Sequence, residues 1–277
     1  MAKKRISVLM GIYNCAETLP DAIECILRQS VTDWELILCD DGSVDDTYMV
    51  ARRYHEQYPE KITLLKNERN RGLNYTLNHC LRHATGEFIA RMDGDDLCSE
   101  DRFEKELRAL EQNPQMAVVS TEMTYFDETG TWGRSHAIPY PQNIDFIKGT
   151  PFCHAPCMAR REAVLSVGGY TDEAKYLRVE DYDLWVKLYA AGYRGMNLQE
   201  PLYHMRDDRN AFARRKFKYR INEARVICKA VRLLKLPVRC YSRALRPVAV
   251  GLLPSGLYKL MHKNRLERKK EAERPVA

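Results

Sequence analysis

Residues 6–27 read ISVLMGIYNCAETLPDAIECIL and contain the pattern that decides the fold. An apolar, β-rich run at 6–13 is followed by apolar residues at 19–27 that recur at helical spacing, which predicts one strand and one helix. The order then repeats, with strands predicted at 34–39, 62–66, 87–92 and 116–123 and helices at 46–58, at 73–84 and after Ser99, which could cap its helix. Alternating strands and helices predict an α/β protein with a mainly parallel, doubly wound sheet.

The charge of the chain changes sharply after Asp208. Residues 1–208 carry 24 Lys+Arg and 34 Asp+Glu, a net charge of −10, whereas residues 209–277 carry 20 and 4, a net charge of +16. Residues 124–208 mix turn signals with a strand-like stretch at 154–160 and a helix at 180–191, and the pattern becomes helical and basic from residue 210 onward. We therefore expect an acidic body of two halves, 1–123 and 124–208, followed by a basic helical extension, 209–277.

The basic extension interleaves cations with apolar residues, and no apolar run in the chain approaches the roughly 20 residues that span a bilayer. The first residues also lack a signal-peptide pattern. We expect a cytoplasmic protein that is peripheral on the inner face of the cell membrane, because each Lys or Arg near an anionic membrane surface contributes about 1 kcal/mol. The alternative is that these helices pack on the body and turn a solvated, charged face outward.

Polar residues collect where the predicted strands end, at 13–14, at 40–41 and at 93–96. Ligands of doubly wound sheets bind beyond the carboxyl ends of the strands, so these positions predict the binding cleft. The chain has neither the Gly-x-Gly-x-x-Gly of a dinucleotide site nor a Walker-type phosphate loop. We expect an anionic ligand to be held through a cation, and carboxylate oxygens suit Mn²⁺ or Mg²⁺. The alternative for residues 93–96 is a solvated acidic turn. For the acidic loop that follows residue 40, the alternative is that Asp45 or Asp46 caps the next helix.

Four stretches, taken in order, resemble glycosyltransferase family 2, the inverting family with the fold called GT-A. They are SVLMGIYN at 7–14, WELILCDDGSVDDT at 34–47, NRGLNYTLNHCLRHATGEFIARMDGDD at 70–96 and VEDYDLWVKLYAAGY at 179–193. The resemblance implies a Rossmann-like sheet and the transfer of a hexosyl or N-acetylhexosaminyl group from a nucleotide sugar. Relatives commonly have Pro where this chain has Gly11, and the Gln-x-x-Arg-Trp motif and membrane helices of processive synthases are missing, which favours single additions.

The resemblance also implies how the donor is bound. Tyr13 and Asp41 match positions that contact the nucleotide base and ribose, and Arg71 lies in a loop that often helps to hold the nucleotide. Asp93 and Asp95 match the acidic motif at the ribose and the metal-bound diphosphate. Because the Asp41 carboxylate could accept the imide N–H of a uracil, a UDP-sugar is the first choice of donor, and GDP- and dTDP-sugars stay open.

Asp181 matches the catalytic base of the family. It begins a predicted helix, whose dipole favours an ionised carboxylate, and it lies one turn before Trp185 on an apolar stripe. This geometry points its side chain towards the cleft. The alternative is that Asp181 only complements the helix start, together with Glu180 and Asp183.

Two histidines are further candidates. His204 could complete a metal shell with Asp93 and Asp95 or touch the diphosphate, and His154 could line the acceptor pocket, although a lone histidine is often structural. The expected partners are a nucleotide-sugar donor and a saccharide acceptor, lipid-linked and belonging to cell-surface polysaccharide biosynthesis. Two alternative functions stay open, nucleotidyl transfer and nucleic-acid binding through the basic extension. The acidic body opposes phosphate backbones, so no nucleic acid is expected as a partner.

Overall fold

The computed structural model describes residues 4–207 and 216–252. The strands in these residues are β1 Ile6–Ile12, β2 Trp34–Asp40, β3 Ile62–Lys66, β4 Phe88–Arg91, β5 Leu97–Cys98, β6 Met116–Asp127, β7 Gly130–Arg134, β8 Met158–Arg160 and β9 Arg194–Arg206. The helices are α1 Leu19–Leu27, α2 Thr47–Gln57, α3 Leu73–His83, α4 Arg102–Gln112, α5 Arg161–Ser166, α6 Glu180–Ala190, α7 Phe217–Leu233 and α8 Leu245–Leu252. The strands form one sheet in the order β3-β2-β1-β4-β8-β6-β9-β5, with β7 paired to β6.

One part of the sheet is parallel. β1 lies between β2 and β4, with Ile6 opposite Trp34 on one side and Phe88 on the other, and β3 extends the parallel set beyond β2. The carboxyl ends of these strands therefore meet at one edge, where the chain leaves β1 at Tyr13 and β2 at Asp41. The predicted α/β class with a mainly parallel, doubly wound sheet is confirmed.

The alternation of side chains along the parallel strands divides the core into two layers. Leu9, Ile37 and Ile89 belong to one buried cluster, whereas their neighbours Val8 and Leu36 belong to the other. Successive strand residues point to opposite faces, so the clusters lie on the two sides of the sheet. Helices α3 and α6 contribute to the first layer, and α1 and α4 contribute to the second.

The rest of the sheet is mixed. β8 pairs antiparallel with both β4 and β6, and β9 runs parallel to β6 and antiparallel to β5. Because β5 directly follows the turn at 93–96, its pairing with β9 places Leu97 opposite His204. Residues far apart in the sequence therefore meet beside the acidic turn.

Two local predictions are wrong. The helix after Ser99 begins at Arg102, and Ser99 does not cap it with its side chain: its carbonyl accepts the N–H of Arg102 at 3.1 Å instead. The strand predicted at 154–160 is limited to β8. Pro156 has no N–H for a strand ladder, and the N–H of Cys157 turns back to the carbonyl of His154 at 3.2 Å.

The described part of the basic extension packs on the body. Helix α7 buries Val226, Ile227 and Ala230 in the same core layer as α6. The apolar side chains of α7 therefore cover the core, as the alternative interpretation of the extension expected. Residues 208–215 and 253–277, which include the basic segment 259–270, lie outside the described residues.

Across residues 4–207 and 216–252, none of the helices combines the length and the apolar character that crossing a membrane requires.

Candidate active site

Hydrogen bonds join the loops that follow β1 and β2. The N–H of Asn14 donates to Ser43 Oγ at 3.0 Å, and the N–H of Val44 donates to Asn14 Oδ1 at the same distance. Tyr13 directly precedes this junction, and its side chain is 47% exposed. The junction therefore presents an open aromatic ring at the end of β1, and such a ring can stack on a nucleotide base.

Asp45 supports the second of these loops. Its Oδ1 accepts the N–H of Thr47, the first residue of α2, at 3.1 Å, and its Oδ2 accepts the N–H of Ala16 at 3.2 Å. Asp46 makes no side-chain cap bond. Asp45 is thus the acid that satisfies the start of α2, and it also ties α2 to the loop after β1.

Asp41 anchors the loop that carries Arg71. Its Oδ1 accepts hydrogen bonds from Asn67 Nδ2 and from the N–H of Arg71, each at 2.8 Å, and its Oδ2 accepts the N–H of Gly72 at 2.8 Å. An ionised carboxylate offers about four lone-pair sites, so these three bonds leave room for one further donor. Asp41 therefore shapes the loop, a role that the sequence did not indicate, and its contact with a nucleotide base stays a prediction.

Two glycines allow the loops to approach each other. Gly42 has a φ of +72°, and a Cβ there would lie 2.7 Å from the backbone carbon of Arg69. Gly72 has a φ of +87° immediately before α3. These left-handed conformations favour glycine. Next to Gly72, the exposed guanidinium of Arg71 lies 4.2 Å from the ring centroid of Tyr75, so the aromatic ring orients this cation.

A buried arginine holds the acidic turn that follows β4. Arg91 is 3% exposed and donates from Nη1 to Asp93 Oδ1 at 2.6 Å. The N–H of Asp93 donates to Tyr203 Oη at 3.1 Å. Gly94 has no room for a side chain, because a Cβ would lie 2.9 Å from Cys15 Sγ. These contacts fix the position and the direction of the Asp93 carboxylate.

Asp95 and Asp96 differ in their surroundings. Part of the Asp95 side chain is exposed, but neighbouring protein atoms still remove water from around its carboxyl group. This desolvation is the larger cause, and repulsion from Asp93 the smaller one, of a raised pKa of Asp95. Asp96 is buried and accepts Tyr203 Oη at 2.9 Å and the N–H of Arg206 at 2.7 Å. Its burial and the charges of Asp93 and Asp95 raise its pKa to about 8. Asp96 therefore ties β9 to the turn, while Asp93 and Asp95 repel each other and would be stabilised by a cation.

The donor set at the turn fits a cation that is shared with a diphosphate. Asp93 and Asp95 supply hard carboxylate oxygens, and a Mg²⁺ that binds with a nucleotide usually takes one or two carboxylates together with phosphate oxygens and water. In the described part of the chain, no group of three or more His, Cys, Asp or Glu side chains is arranged to hold a metal ion by itself. Asp93 and Asp95 therefore fit Mg²⁺ or Mn²⁺, provided that phosphate oxygens and water complete the coordination.

His204 lies within β9 beside the acidic turn. Its Nδ1 is 2.7 Å from Thr124 Oγ1, and desolvation lowers the pKa of the ring. The imidazole is therefore neutral near pH 7, and Nε2 is the ring nitrogen directed away from Thr124. Its role as a metal ligand beside Asp93 and Asp95 stays a prediction.

Asp181 lies in the first turn of α6, which begins at Glu180. Burial, followed by the charge of Glu180, raises the pKa of Asp181 to about 7, while a hydrogen bond with the Thr150 side chain opposes this shift. A carboxyl group with a pKa near the operating pH is well matched to accept a proton from a reacting hydroxyl. The predicted apolar stripe behind it is buried and anchors α6 in the core: Trp185, Leu188 and Tyr189.

Asp183 connects α6 to the extension. It is fully buried and accepts hydrogen bonds from Lys229 Nζ of α7 and from Thr171 Oγ1, each at 2.6 Å. Asn222 of α7 also donates from Nδ2 to the carbonyl of Leu177 at 3.0 Å, in the segment that leads into α6. Helix α7 therefore holds both the helix of Asp181 and the backbone before it.

His154 lies in the half of the chain predicted to bind the acceptor. Its Nε2 is 2.8 Å from Tyr170 Oη, and its ring packs edge to face against Trp185 with centroids 6.1 Å apart. Burial lowers the pKa of His154 well below its usual value. His154 therefore packs between Tyr170 and Trp185 of α6, and its contact with an acceptor stays a prediction.

Arg91 is a residue of this site that the sequence analysis did not single out. Burial raises the pKa of Glu180, and the positive charge of Arg91 is among the influences that oppose this shift, so Arg91 acts on the start of α6 as well as on Asp93. The available signal was an arginine at the end of an otherwise apolar strand, directly before the acidic run.

The sheet topology is that of the GT-A fold, which solved structures of glycosyltransferases share with this chain. The chain belongs to glycosyl transferase family 2, whose profile matches residues 7–168. The profile of glycosyl transferase family group 2 matches residues 88–261. The predicted family, fold and enzyme class are confirmed.

Known relatives and structures agree with this assignment. EpsE of Bacillus subtilis (strain 168), classed as a glycosyltransferase, is 44% identical over 267 residues, which are 96% of each chain. The Escherichia coli UDP-Gal:α-D-GlcNAc-diphosphoundecaprenol β-1,3-galactosyltransferase is 31% identical over 79% of this chain and 80% of its own. The mannosyltransferase PcManGT of Pyrobaculum calidifontis, solved with GDP-Man and Mn²⁺, is similar in fold with a TM-score of 0.66 at 20% identity, over 96% of this chain and 80% of that one.

Proposed function

We propose that the protein is an inverting, metal-dependent glycosyltransferase that moves one sugar from a UDP-sugar to a hydroxyl group of a lipid-linked saccharide. The observation that carries the proposal is Asp181, a carboxylate at a helix start whose pKa is raised to about 7, together with an acidic turn held in place by Arg91. The E. coli relative supports the choice of donor and acceptor, because its name specifies UDP-Gal and a diphosphoundecaprenol-linked sugar.

Residues 1–123 are proposed to bind the donor. The exposed ring of Tyr13 stacks on the base, and the remaining acceptor site of Asp41 takes the imide N–H of uracil. Arg71 contacts the nucleotide from the loop that Asp41 anchors. Thymine has the same imide N–H, and guanine offers its N1–H and N2–H₂ donors to a carboxylate, so the choice of UDP rests on the E. coli relative, whose name specifies UDP-Gal.

Asp93 and Asp95 are the residues that would hold Mn²⁺ or Mg²⁺, with His204 as a third candidate. When bound there, the cation neutralises the charge that builds on the departing nucleoside diphosphate. Arg91 keeps the Asp93 carboxylate in one direction, and Asp96 keeps the turn attached to β9. These protein contacts preorganise the turn before the donor arrives.

Residues 124–208 are proposed to bind the acceptor and to carry the base. The oxygen of the acceptor hydroxyl attacks the anomeric carbon from the face opposite the diphosphate, and its proton passes to the carboxylate of Asp181. The bond between the anomeric carbon and the diphosphate oxygen breaks, and its electron pair leaves with the nucleoside diphosphate. The configuration is inverted in this single displacement. Residues 209–277 form the extension, whose α7 supports the base helix.

The reaction is proposed to take place in the cytoplasm at the inner face of the cell membrane, where a lipid-linked acceptor meets a water-soluble donor. The products would enter cell-surface polysaccharide biosynthesis.

A panel of UDP-, GDP- and dTDP-sugars with Mn²⁺ tests the proposal through the slow release of nucleotide. We expect release of UDP from at least one UDP-sugar, its loss in excess EDTA and its recovery when Mn²⁺ is added back. Asp95→Ala should lose this activity, and Glu100→Ala, which removes an exposed acid outside the turn, should keep it. Full activity of Asp95→Ala or in EDTA would contradict the metal assignment, and release of sugar 1-phosphate in place of UDP would indicate nucleotidyl transfer instead.

A further inference from the structure

The segment 238–252 turns large apolar side chains outward. Val238 is 81% exposed, Leu245 is 68% exposed and Leu252 is 72% exposed, and Tyr241 is also on the surface at 39%. These residues belong to a 3₁₀ helix, Val238–Ala244, that continues directly into α8. Leaving such side chains in water forgoes the free energy of burying them, so a group of them on one segment indicates a surface that is used.

Exposed and buried side chains alternate along the segment. Positions seven apart in an α-helix face the same way, which aligns Leu245 with Leu252 in α8, and Val238 and Tyr241 are exposed on the preceding 3₁₀ helix. Cys240, Ala244 and Pro247 are buried against the protein. The segment is therefore fixed to the body by its buried residues and presents the exposed apolar side chains, which we name the docking face.

Cations flank the docking face. Lys235, Arg239, Arg243 and Arg246 are all exposed. The sequence contains no Asp or Glu between Glu223 and Glu267, so this part of the chain carries positive charge without an acid to balance it. A face that combines exposed apolar side chains with unbalanced cations is complementary to an anionic phospholipid surface, whose headgroups take the cations while the acyl boundary takes the apolar groups.

We infer that the docking face binds the protein to an anionic phospholipid bilayer. The apolar side chains Val238, Tyr241, Leu245 and Leu252 enter the headgroup boundary, and the arginines contact lipid phosphates. This surface is smaller than the whole basic extension, because the apolar residues of α7 are used in the core. A second copy of the chain fits less well, since pairing two docking faces would bring arginines against arginines. The inference depends on the proposed function in one respect: the same bilayer would carry the lipid-linked acceptor.

The binding has two parts of predictable size. Each Lys or Arg near an anionic surface strengthens binding about fivefold at moderate salt, so three arginines contribute roughly 10²-fold. The electrostatic part weakens as salt rises, because charges are screened over roughly 8 Å at physiological ionic strength. Inserting a leucine side chain adds roughly tenfold or more, and this part is insensitive to salt.

Flotation of the full-length protein with vesicles tests the inference without donor or acceptor. The vesicles contain either phosphatidylcholine alone or phosphatidylcholine mixed with phosphatidylglycerol. The charge variant Arg239→Gln/Arg243→Gln/Arg246→Gln is compared with Arg28→Gln/Arg53→Gln/Arg82→Gln, which removes the same net charge from exposed sites on the body. The apolar variant Leu245→Ser/Leu252→Ser is compared with Leu165→Ser, which changes a leucine that is 44% exposed on α5.

We expect wild-type protein to float with anionic vesicles and to lose binding at high salt. The charge variant should bind roughly 10²-fold more weakly and the apolar variant at least tenfold more weakly, while both control variants bind like wild type. Release of UDP from a UDP-sugar should be the same in all variants, which separates failure of docking from failure of the proposed transfer. Equal loss in the charge control, no flotation of wild type, or a concentration-dependent dimer that the apolar variant abolishes would overturn the inference.

Discussion

The guanidinium of Arg91 lies 2.6 Å from the carboxylate of Asp93, where β4 ends and the acidic turn begins. The same Nη1 atom donates to the carbonyl of Met92 at 2.9 Å, so one buried cation holds both the backbone and the carboxylate. An aspartate that is fixed in this way offers its remaining lone pairs to a ligand without having to reorganise.

Replacing Arg91 should weaken the binding of nucleotide together with metal. In Arg91→Met the Asp93 carboxylate loses its buried partner, and we expect the Kd of UDP in the presence of Mn²⁺ to rise roughly 10–100-fold, the usual effect of losing a group that orients a metal ligand. Arg91→Lys should lose less, because it keeps the charge. Isothermal titration calorimetry measures the affinity, and Arg52→Met, which breaks an exposed pair with Glu56, is the control. Wild-type affinity in a folded Arg91→Met would show that the ion pair does not support binding.

The transfer rate should depend on pH through Asp181. The base acts only when deprotonated, and its pKa is raised to about 7, so kcat/KM should fall about tenfold per unit as the pH decreases below that value and should level off above it. Glu180→Gln removes the neighbouring negative charge, which should lower the pKa of Asp181 and move the inflection to lower pH. A pH profile of both proteins checks the sign, and an inflection that stays in place or moves upward would count against the coupling.

Helix α7 should support catalysis without touching the donor. Asn222 holds the carbonyl of Leu177 at 3.0 Å, and loss of one such hydrogen bond is worth roughly 0.5–1.5 kcal/mol. Asn222→Ala should therefore lower kcat roughly 2–10-fold, because the start of α6 becomes less fixed, while the Kd of the donor stays unchanged. Lys218→Ala on the exposed side of α7 is the matched control. An effect on donor affinity alone would place Asn222 in a different role.

The two helices of the extension should differ in what they contribute to stability. Ile227 of α7 is 3% exposed, and Ile227→Ala should lower the free energy of unfolding by roughly 2–5 kcal/mol. Leu245 of α8 is 68% exposed, and Leu245→Ala should change it by less than about 0.5 kcal/mol. Urea unfolding followed by circular dichroism measures both. Similar losses in the two variants would contradict the assignment of α7 to the core and of α8 to the surface.

The parallel part of the fold was predictable because it depends on local patterns. Strands β1 and β2 are apolar runs that end in polar residues, and α1 repeats its buried residues at helical spacing. The mixed part was less predictable, since β8 is cut short by Pro156 and β5 exists as a two-residue strand only through its pairing with β9. Such pairings depend on contacts between distant segments.

The site was predictable to the same degree. Asp93 could be selected because it follows a recognisable strand and Asp181 because it lies at the start of a recognisable helix, and the family resemblance gave them roles. The different surroundings of Asp95 and Asp96 could not be predicted, because they arise from Tyr203 and Arg206, more than a hundred residues later in the chain. For α7, the apolar pattern alone suits either a membrane or a core, and only the packing of side chains such as Val226 decides between them.

The most direct test of the central claim measures donor binding and sugar transfer side by side in Asp181→Asn. Asparagine keeps the shape of the side chain but cannot accept the proton, so the Kd of UDP with Mn²⁺ should stay close to that of wild type while transfer falls by roughly 10²–10⁴, the usual contribution of a general base. Wild-type turnover in Asp181→Asn, with the loss appearing in Glu180→Gln instead, would contradict the assignment of Asp181 as the base.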